Sequence, residues 1–197
     1  MAIGATNREI QDLSNKLLQL IQREQQTISA VRPADPDKKA LMEQHLKAFV
    51  EKRGKPYFFN YLSSGRGNGP FTELIDGSVK YDLINGIGFN LLGHAHPIYV
   101  QANLEAATND TIMCGNLQAY REPNFVASEV LEVVKNSRLR HFWFSCSGSF
   151  ANDTALKIIW QKKAPKYKLI ALSKAFAGRS IATQDITHNQ AYREGMP

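Results

Sequence analysis

The chain has 197 residues, 43% of them hydrophobic and 21% charged, with a formal net charge of +6. This is the composition of a globular protein of one domain or one and a half, and it excludes a disordered polymer. No apolar run approaches the roughly 20 residues that cross a bilayer, and MAIGATNREI lacks the basic-then-apolar order of a secretory signal.

Residues 6 to 29 read as a helix with Ile10, Leu13, Leu17, Leu20 and Ile21 on one face, packed on the body of the protein or on a partner chain. Pro33 and Pro36 end that pattern, and Asp37 is placed to cap a second helix carrying Leu41, Leu46, Phe49 and Val50, which stops near Arg53-Gly54. From Pro56 to Pro70 the chain turns aromatic and then glycine-rich. Gly65, Gly67 and Gly69 are not spaced as a nucleotide loop and Pro70 obstructs a following helix, so the stretch reads as a mobile loop, with phosphate binding the weaker alternative. Phe71–Leu74 and Val79–Leu83 flank Asp76-Gly77 as a hairpin. Gly86, Gly88 and Gly93 then allow close backbone approach, and Pro97 starts a helix with Ile98, Gln101 and Leu104. His94 and His96 stand two apart without a convincing third ligand, which favours structural histidines over a metal pair. A further helix spans roughly Pro123 to Asn136 with Val126, Val130 and Val133 inward.

The stretch HFWFSCSGSFANDTALKIIW, residues 141 to 160, organises the rest. Phe142, Trp143 and Phe144 read as a short strand. Ser145, Ser147, Gly148 and Ser149 form a small polar turn, and a helix follows with Ala151, Ala155, Leu156, Ile158 and Ile159 on its packed face. A strand feeding a Gly/Ser turn at a helix N-terminus converges unpaired N–H groups, hydroxyls and the positive end of a helix dipole, which suits a phosphate. A second strand, Tyr167–Leu172, leads into SKAFAGRS. That order is the start of a parallel α/β sheet, in which Ser147–Ser149 and Phe176–Arg179 would meet at the carboxyl ends of the strands. Cys114 and Cys146 show neither metal nor disulfide spacing. Cys146 reads as a small buried hydrophobe, and a reducing cytoplasm is expected. The basic cluster Lys162, Lys163, Lys166 and Lys168 reads as a solvated surface, so no nucleic-acid or membrane partner is expected.

The segments DGSVKYDLINGIGFNLLGHAHP, FWFSCSGSFANDTALK and AFAGRS together resemble the class III pyridoxal-phosphate-dependent aminotransferases. These are the ornithine, acetylornithine and 4-aminobutyrate enzymes, whose pattern runs D-G-x-x-Y-x-D, G-x-x-x-x-G-H-x-H-P, S-G-[TS]-E-A-N-E-x-A-x-K and F-H-G-R-[TS]. The resemblance implies a truncated fold-type-I α/β architecture: a helical segment over 1–54, a small-domain segment over 55–110, and the start of the cofactor domain over 111–197. It implies pyridoxal 5′-phosphate as cofactor, an amino donor and a 2-oxo acid acceptor as substrates, and a homodimer in the complete protein. By the same resemblance Ser147, Gly148 and Ser149 hold the cofactor phosphate, Phe176 stacks on its ring with Ala177 beside it, and residues 86–94 lie near a dimer interface. Gly178 permits a close turn, and Arg179 is expected as a structural or interface ion-pair residue.

Phe150 and Asp153 stand where the family has glutamates, and Ala177 where it has histidine. No residue matches the family's cofactor-bonding lysine: Lys174 lies outside that motif, and Lys157 falls on the helix after the turn. The expectation is therefore an N-terminal portion of a transaminase without its catalytic lysine, aggregation-prone when alone. The alternatives are a non-catalytic homologue acting as an interaction subunit and an aminomutase-like relative.

Overall fold

The computed structural model describes residues 7–110 and 117–195, so Cys114 lies outside the described residues. The chain divides into two compact units, 1–112 and 113–197. The first carries α1 (Arg8–Gln25), α2 (Pro36–Arg53), β1 (Ser63–Asn68), β2 (Phe71–Leu74), β3 (Val79–Tyr81), the single turn α3 (Asn85–Gly88) and α4 (Pro97–Ala107). The second carries α5 (Arg121–Val133), α6 (Gly148–Lys163), α7 (Ile181–Gln184) and a 3-10 turn (Gln190–Tyr192).

α1 is capped by Asn7, whose Oδ1 accepts from the N–H groups of Glu9 and Ile10 at 3.0 and 3.3 Å. It packs on α4, with Gln11, Ser14 and Leu18 sharing a groove with Gln101, Leu104 and Thr108. Ile10 and Ile21 are half-buried, whereas Leu13, Leu17 and Leu20 stay exposed, so only one flank of the expected stripe is covered. α2 starts two residues earlier than the sequence suggests. Asp35, not Asp37, is the N-cap, with Pro36 in the first turn and Gly54 closing the helix at φ 84°.

The three strands form an antiparallel meander in the order β1-β2-β3. Phe71, Thr72 and Glu73 face Tyr81, Lys80 and Val79 across the expected hairpin. The glycine-rich stretch expected as a mobile loop is instead strand β1, joined to β2 through Gly67↔Thr72 and Asn68↔Phe71. Gly67 is there for close approach: a Cβ would lie 2.8 Å from His94 Cβ and 2.9 Å from the Phe71 carbonyl oxygen. On the other side, Arg32 covers the edge of β3 by exchanging two backbone hydrogen bonds with Val79, at 3.1 and 2.9 Å.

Glu73 sits at the centre of this unit, 7% exposed. Arg32 Nη2 reaches its Oε1 at 2.6 Å, and Arg66 Nη1 and Ser64 Oγ reach its Oε2 at 3.2 and 3.0 Å. Arg66 Nη2 also donates to the Glu24 carbonyl and to Thr27 Oγ1, tying the end of α1 to the sheet. Ile28, Leu74 and Val79 are the buried apolar residues around it.

Both histidines have structural roles. His94 Nε2 lies 2.8 Å from Asp82 Oδ2 while its backbone pairs with Gly69, and His96 Nδ1 accepts from Ile98 N–H at 3.3 Å to cap α4. Burial pushes the Asp82 carboxyl up, but hydrogen bonds from Asn85, His94 and Ile84 outweigh it and hold the group below the ordinary aspartate value of 3.8. Asp76 behaves alike: burial is overcome by the Ser78 hydroxyl and N–H and by Lys80.

The second unit departs further from expectation. Its described residues contain no strand: 141–145 and 168–172 have no regular secondary structure, and Trp143, Ile170 and Leu172 are exposed. A parallel strand needs hydrogen-bonded neighbours and cover on both faces, and neither is present for these segments. Lacking a sheet to pack on, α6 buries Leu156 and leaves Ala151, Ala155, Ile158 and Ile159 exposed. Val126, Val130 and Val133 of α5 are exposed rather than inward, and Cys146 is exposed rather than buried.

Removing the carboxylate in Glu73→Ala leaves two guanidinium groups without their shared acceptor. Because both arginines are about half solvated, the loss is expected at about 2 kcal/mol, below the range for fully buried pairs, read from urea unfolding. The depressed Asp76 and Asp82 stabilise the fold above the ordinary value of 3.8, and this is lost as pH falls through their lower folded values. Stability is expected to be level near about pH 6 and to fall below about pH 4, and Asp82→Asn flattens that fall in acid unfolding curves.

Candidate functional site

The N-terminus of α6 is set by Ser147, whose extended backbone (φ −164°, ψ 164°) stops the helix. Ser147 Oγ accepts from Phe150 N–H at 3.3 Å, and its carbonyl accepts from Ala151 N–H at 2.9 Å. The N–H groups of Gly148 and Ser149 find no acceptor among the described residues, as the first turn of a helix dictates. Two unpaired donors thus share the positive end of the helix dipole. The hydroxyls add to them: Ser147 Oγ and Ser149 Oγ both serve as acceptors here, Ser149 from Arg179 N–H at 3.3 Å, which leaves each hydroxyl proton free to donate.

The loop 175–180 is fastened directly to this helix end. Asn152 Nδ2 donates to the Ala177 carbonyl at 2.7 Å, and Ser180 Oγ donates to Asp153 Oδ1 at 2.7 Å. Ser180 also caps α7 in a reciprocal arrangement with Thr183, their hydroxyls 2.6 Å apart. Gly178 makes the approach possible. At φ 133° it occupies backbone space closed to other residues, and a Cβ there would meet Ser149 Oγ at 2.5 Å and Thr183 Oγ1 at 2.6 Å.

Thr187 closes the loop from its far side. Its hydroxyl accepts from Ala177 N–H at 2.9 Å and from Gly178 N–H at 3.2 Å, and donates to the Gly178 carbonyl at 2.8 Å. Phe176, immediately before this clamp, keeps a ring 63% exposed. Tyr192 meets it edge-on with centroids 6.5 Å apart, and the Arg179 guanidinium lies 5.9 Å from the Phe176 ring and 5.5 Å from that of Tyr192. Arg179 therefore stacks on aromatic rings; among the described residues it forms no ion pair.

Ser147, Gly148, Ser149, Phe176 and Ala177, separated by 26 residues between the two groups at their nearest, are brought to one place through Asn152 and Ser149. Asn152, Thr187 and Tyr192 belong to the same cluster and were not singled out by the sequence. Thr187 lies beyond the F-A-G-R-S motif, and the only hint of it is a polar residue in a run without periodicity.

Residues 50–197 match the family described as aminotransferase class-III. The chain is 36% identical over 142 residues to the acetylornithine aminotransferase of Mycolicibacterium smegmatis, covering 69% of this chain and 34% of the relative. It is 28% identical over 179 residues to that of Myxococcus xanthus, covering 86% and 43%, and 31% identical over 128 residues to that of Mycobacterium leprae, covering 64% and 30%. The chain thus spans less than half the length of these relatives. Among solved structures it is similar to a thermostable omega transaminase, a PjTA-R6 variant engineered for asymmetric synthesis of enantiopure bulky amines. The TM-score is 0.61 at 20% identity, over 79% of this chain and 36% of that one. That likeness shows the fold, the α/β fold type I of the transaminases.

Gly178→Ala combines a forbidden backbone angle with two contacts near 2.5 Å, and is expected to cost about 3 kcal/mol or to detach the loop. Gly148→Ala, whose Cβ meets nothing within 4 Å, is expected to leave thermal unfolding within about 0.5 kcal/mol of the parent.

Proposed function

The chain belongs to the class-III aminotransferase family, and on that premise we propose that it holds pyridoxal 5′-phosphate at the N-terminus of α6. The reaction proposed is transfer of an amino group between an amino acid or amine and a 2-oxo acid. The observation that carries this reading is the pairing of two unpartnered N–H groups, Gly148 and Ser149, with an exposed aromatic ring on a loop anchored to the same helix. A phosphate dianion needs several donors at one point, and the two amides and two free hydroxyl protons supply them. A flat heteroaromatic ring needs a flat apolar face, and Phe176 offers one. The residues present fit the group.

When bound, this cofactor supplies an electron sink for the carbon that bears the transferred nitrogen. The protein's share is binding and orientation. Gly148 and Ser149 grip the phosphate, with Ser147 and Ser149 adding hydroxyl donors. Phe176 covers one ring face and keeps water from it. Ala177 contributes its backbone, both polar atoms of which are committed to Asn152 and Thr187, and its small side chain leaves room beside the ring. Neither Lys157 nor Lys174 is assigned a part. The same reading takes 1–54, 55–110 and 111–197 as helical, small-domain and cofactor-domain segments, and takes the working protein as a cytoplasmic homodimer.

Pyridoxine 5′-phosphate carries the ring and the phosphate but no aldehyde, so it reports this site without reacting with surface lysines. Titration of the protein, followed by tyrosine and tryptophan fluorescence, is expected to show binding that inorganic phosphate competes away. Ser147→Ala and Ser149→Ala are each expected to weaken it roughly tenfold, as for one hydrogen bond to a charged group. Affinity unchanged in both variants would refute the site.

A further inference from the structure

Resting on that reading, we infer that Thr187 is a positioning residue: its buried hydroxyl fixes the backbone of Ala177 and Gly178 and thereby aims the Phe176 ring at the cofactor. Phe176 has little of its own to hold it. The residue is 63% exposed, and its ring meets only the edge of Tyr192 and the Arg179 guanidinium among aromatic and cationic neighbours. Its direction must then be inherited from the peptide units that follow. Those units are held on the helix side by Asn152 at the Ala177 carbonyl and by Ser149 at the Arg179 N–H. On the opposite side, the two amides and one carbonyl of Ala177 and Gly178 all converge on a single atom, Thr187 Oγ1, in a residue 2% exposed. The strand of chain carrying Thr187 is itself tied to the start of the loop, since His188 N–H donates to the Ala175 carbonyl at 2.8 Å.

A hydroxyl with three partners, all on the loop that carries the stacking ring, sets a position more than it adds stability. Neutral hydrogen bonds are weak individually, but three from one atom leave the peptide little angular freedom. None of Ser147, Gly148 or Ser149 hydrogen-bonds Thr187, and among these three Ser149 bonds to the loop, at the Arg179 N–H. The two halves of the site can therefore be loosened separately.

Thr187→Val keeps the shape and removes the hydroxyl, and Thr187→Ser keeps the hydroxyl and removes the methyl. In the protein titrated with pyridoxine 5′-phosphate, Thr187→Val, which removes all three hydrogen bonds of the clamp, is expected to weaken binding roughly tenfold. Inorganic phosphate, which has no ring to stack, should bind Thr187→Val within about twofold of the parent, and Thr187→Ser should recover most of the ring-bearing ligand's affinity. In a Phe176→Leu background, the Thr187→Val loss should disappear. Equal losses for both ligands, no loss, or a loss that persists without Phe176 would overturn the inference. Should Thr187→Val fail to fold, Thr187→Ala takes its place with the same expectations. A parent protein whose pyridoxine 5′-phosphate binding phosphate does not compete away would instead refute the phosphate site itself, and the inference with it.

Discussion

The second unit hangs on the contact between one glycine and one helix turn. Gly178 lies so close to Ser149 and Thr183 that no side chain fits between them, and this contact brings the loop 175–180 against the N-terminus of α6. The consequence is energetic as well as geometric. Among the described residues, the buried ones of this unit are Leu156, Gly178, Thr183, Gln184 and Thr187, of which only Leu156 has a sizeable apolar side chain. Apolar burial supplies most of the folding free energy of ordinary domains, and it is non-directional. Here the packing rests instead on directional hydrogen bonds, each worth about 1 kcal/mol net. Such an arrangement fixes angles well and resists unfolding poorly.

The first unit divides the same labour differently. Its sheet has Ile28, Leu74 and Val79 as apolar core and a charged hub in Glu73, which collects Arg32 from the linker and Arg66 and Ser64 from β1. Long-range closure by guanidinium groups replaces the missing bulk of a hydrophobic core. It explains why the linker between α1 and α2 is pinned to the sheet and why a glycine-rich stretch can persist as a strand. Ser63–Asn68 has no apolar side chain to pack, so backbone pairing with β2 and the Arg66 anchor carry it.

What was legible in the sequence follows from how local each signal is. Helix ends are local, and Ser147 at the α6 cap, Gly54 and Pro97 stand where the residue types place them. The Asp76-Gly77 hairpin is equally local. The convergence of Ser147–Ser149 with Phe176–Arg179 was legible only through the topology of a parallel sheet. The two regions do meet, yet through Asn152, Ser149 and Asp153 rather than through paired strands. β1 was illegible because glycine erases the period-2 pattern by which strands are read. Thr187 was illegible because its three partners are ten or so residues away and no motif marks a hydroxyl that serves the backbone. The exposed apolar faces of α5 and α6 expose the limit of periodicity: it tells which face can be buried, not whether anything covers it.

The departures from the family pattern take on a definite meaning against this geometry. Asp153, one methylene shorter than the glutamate of the pattern, still meets Ser180 Oγ at 2.7 Å, because Ser180 is drawn inward by its own exchange with Thr183. Phe150 enters the site through its backbone, as the N–H that Ser147 accepts, so an apolar side chain there leaves the cap intact. Ala177 likewise acts through its N–H and carbonyl. A methyl group at that position takes less volume than a histidine ring while the peptide stays clamped. Two of the three changes thus fall where the main chain makes the hydrogen bonds, and the third keeps its charge and bonds Ser180. The Ser147 cap and the unpaired N–H groups of Gly148 and Ser149 persist with these substitutions; under the proposed reading, what they alter is the space and polarity next to the cofactor ring.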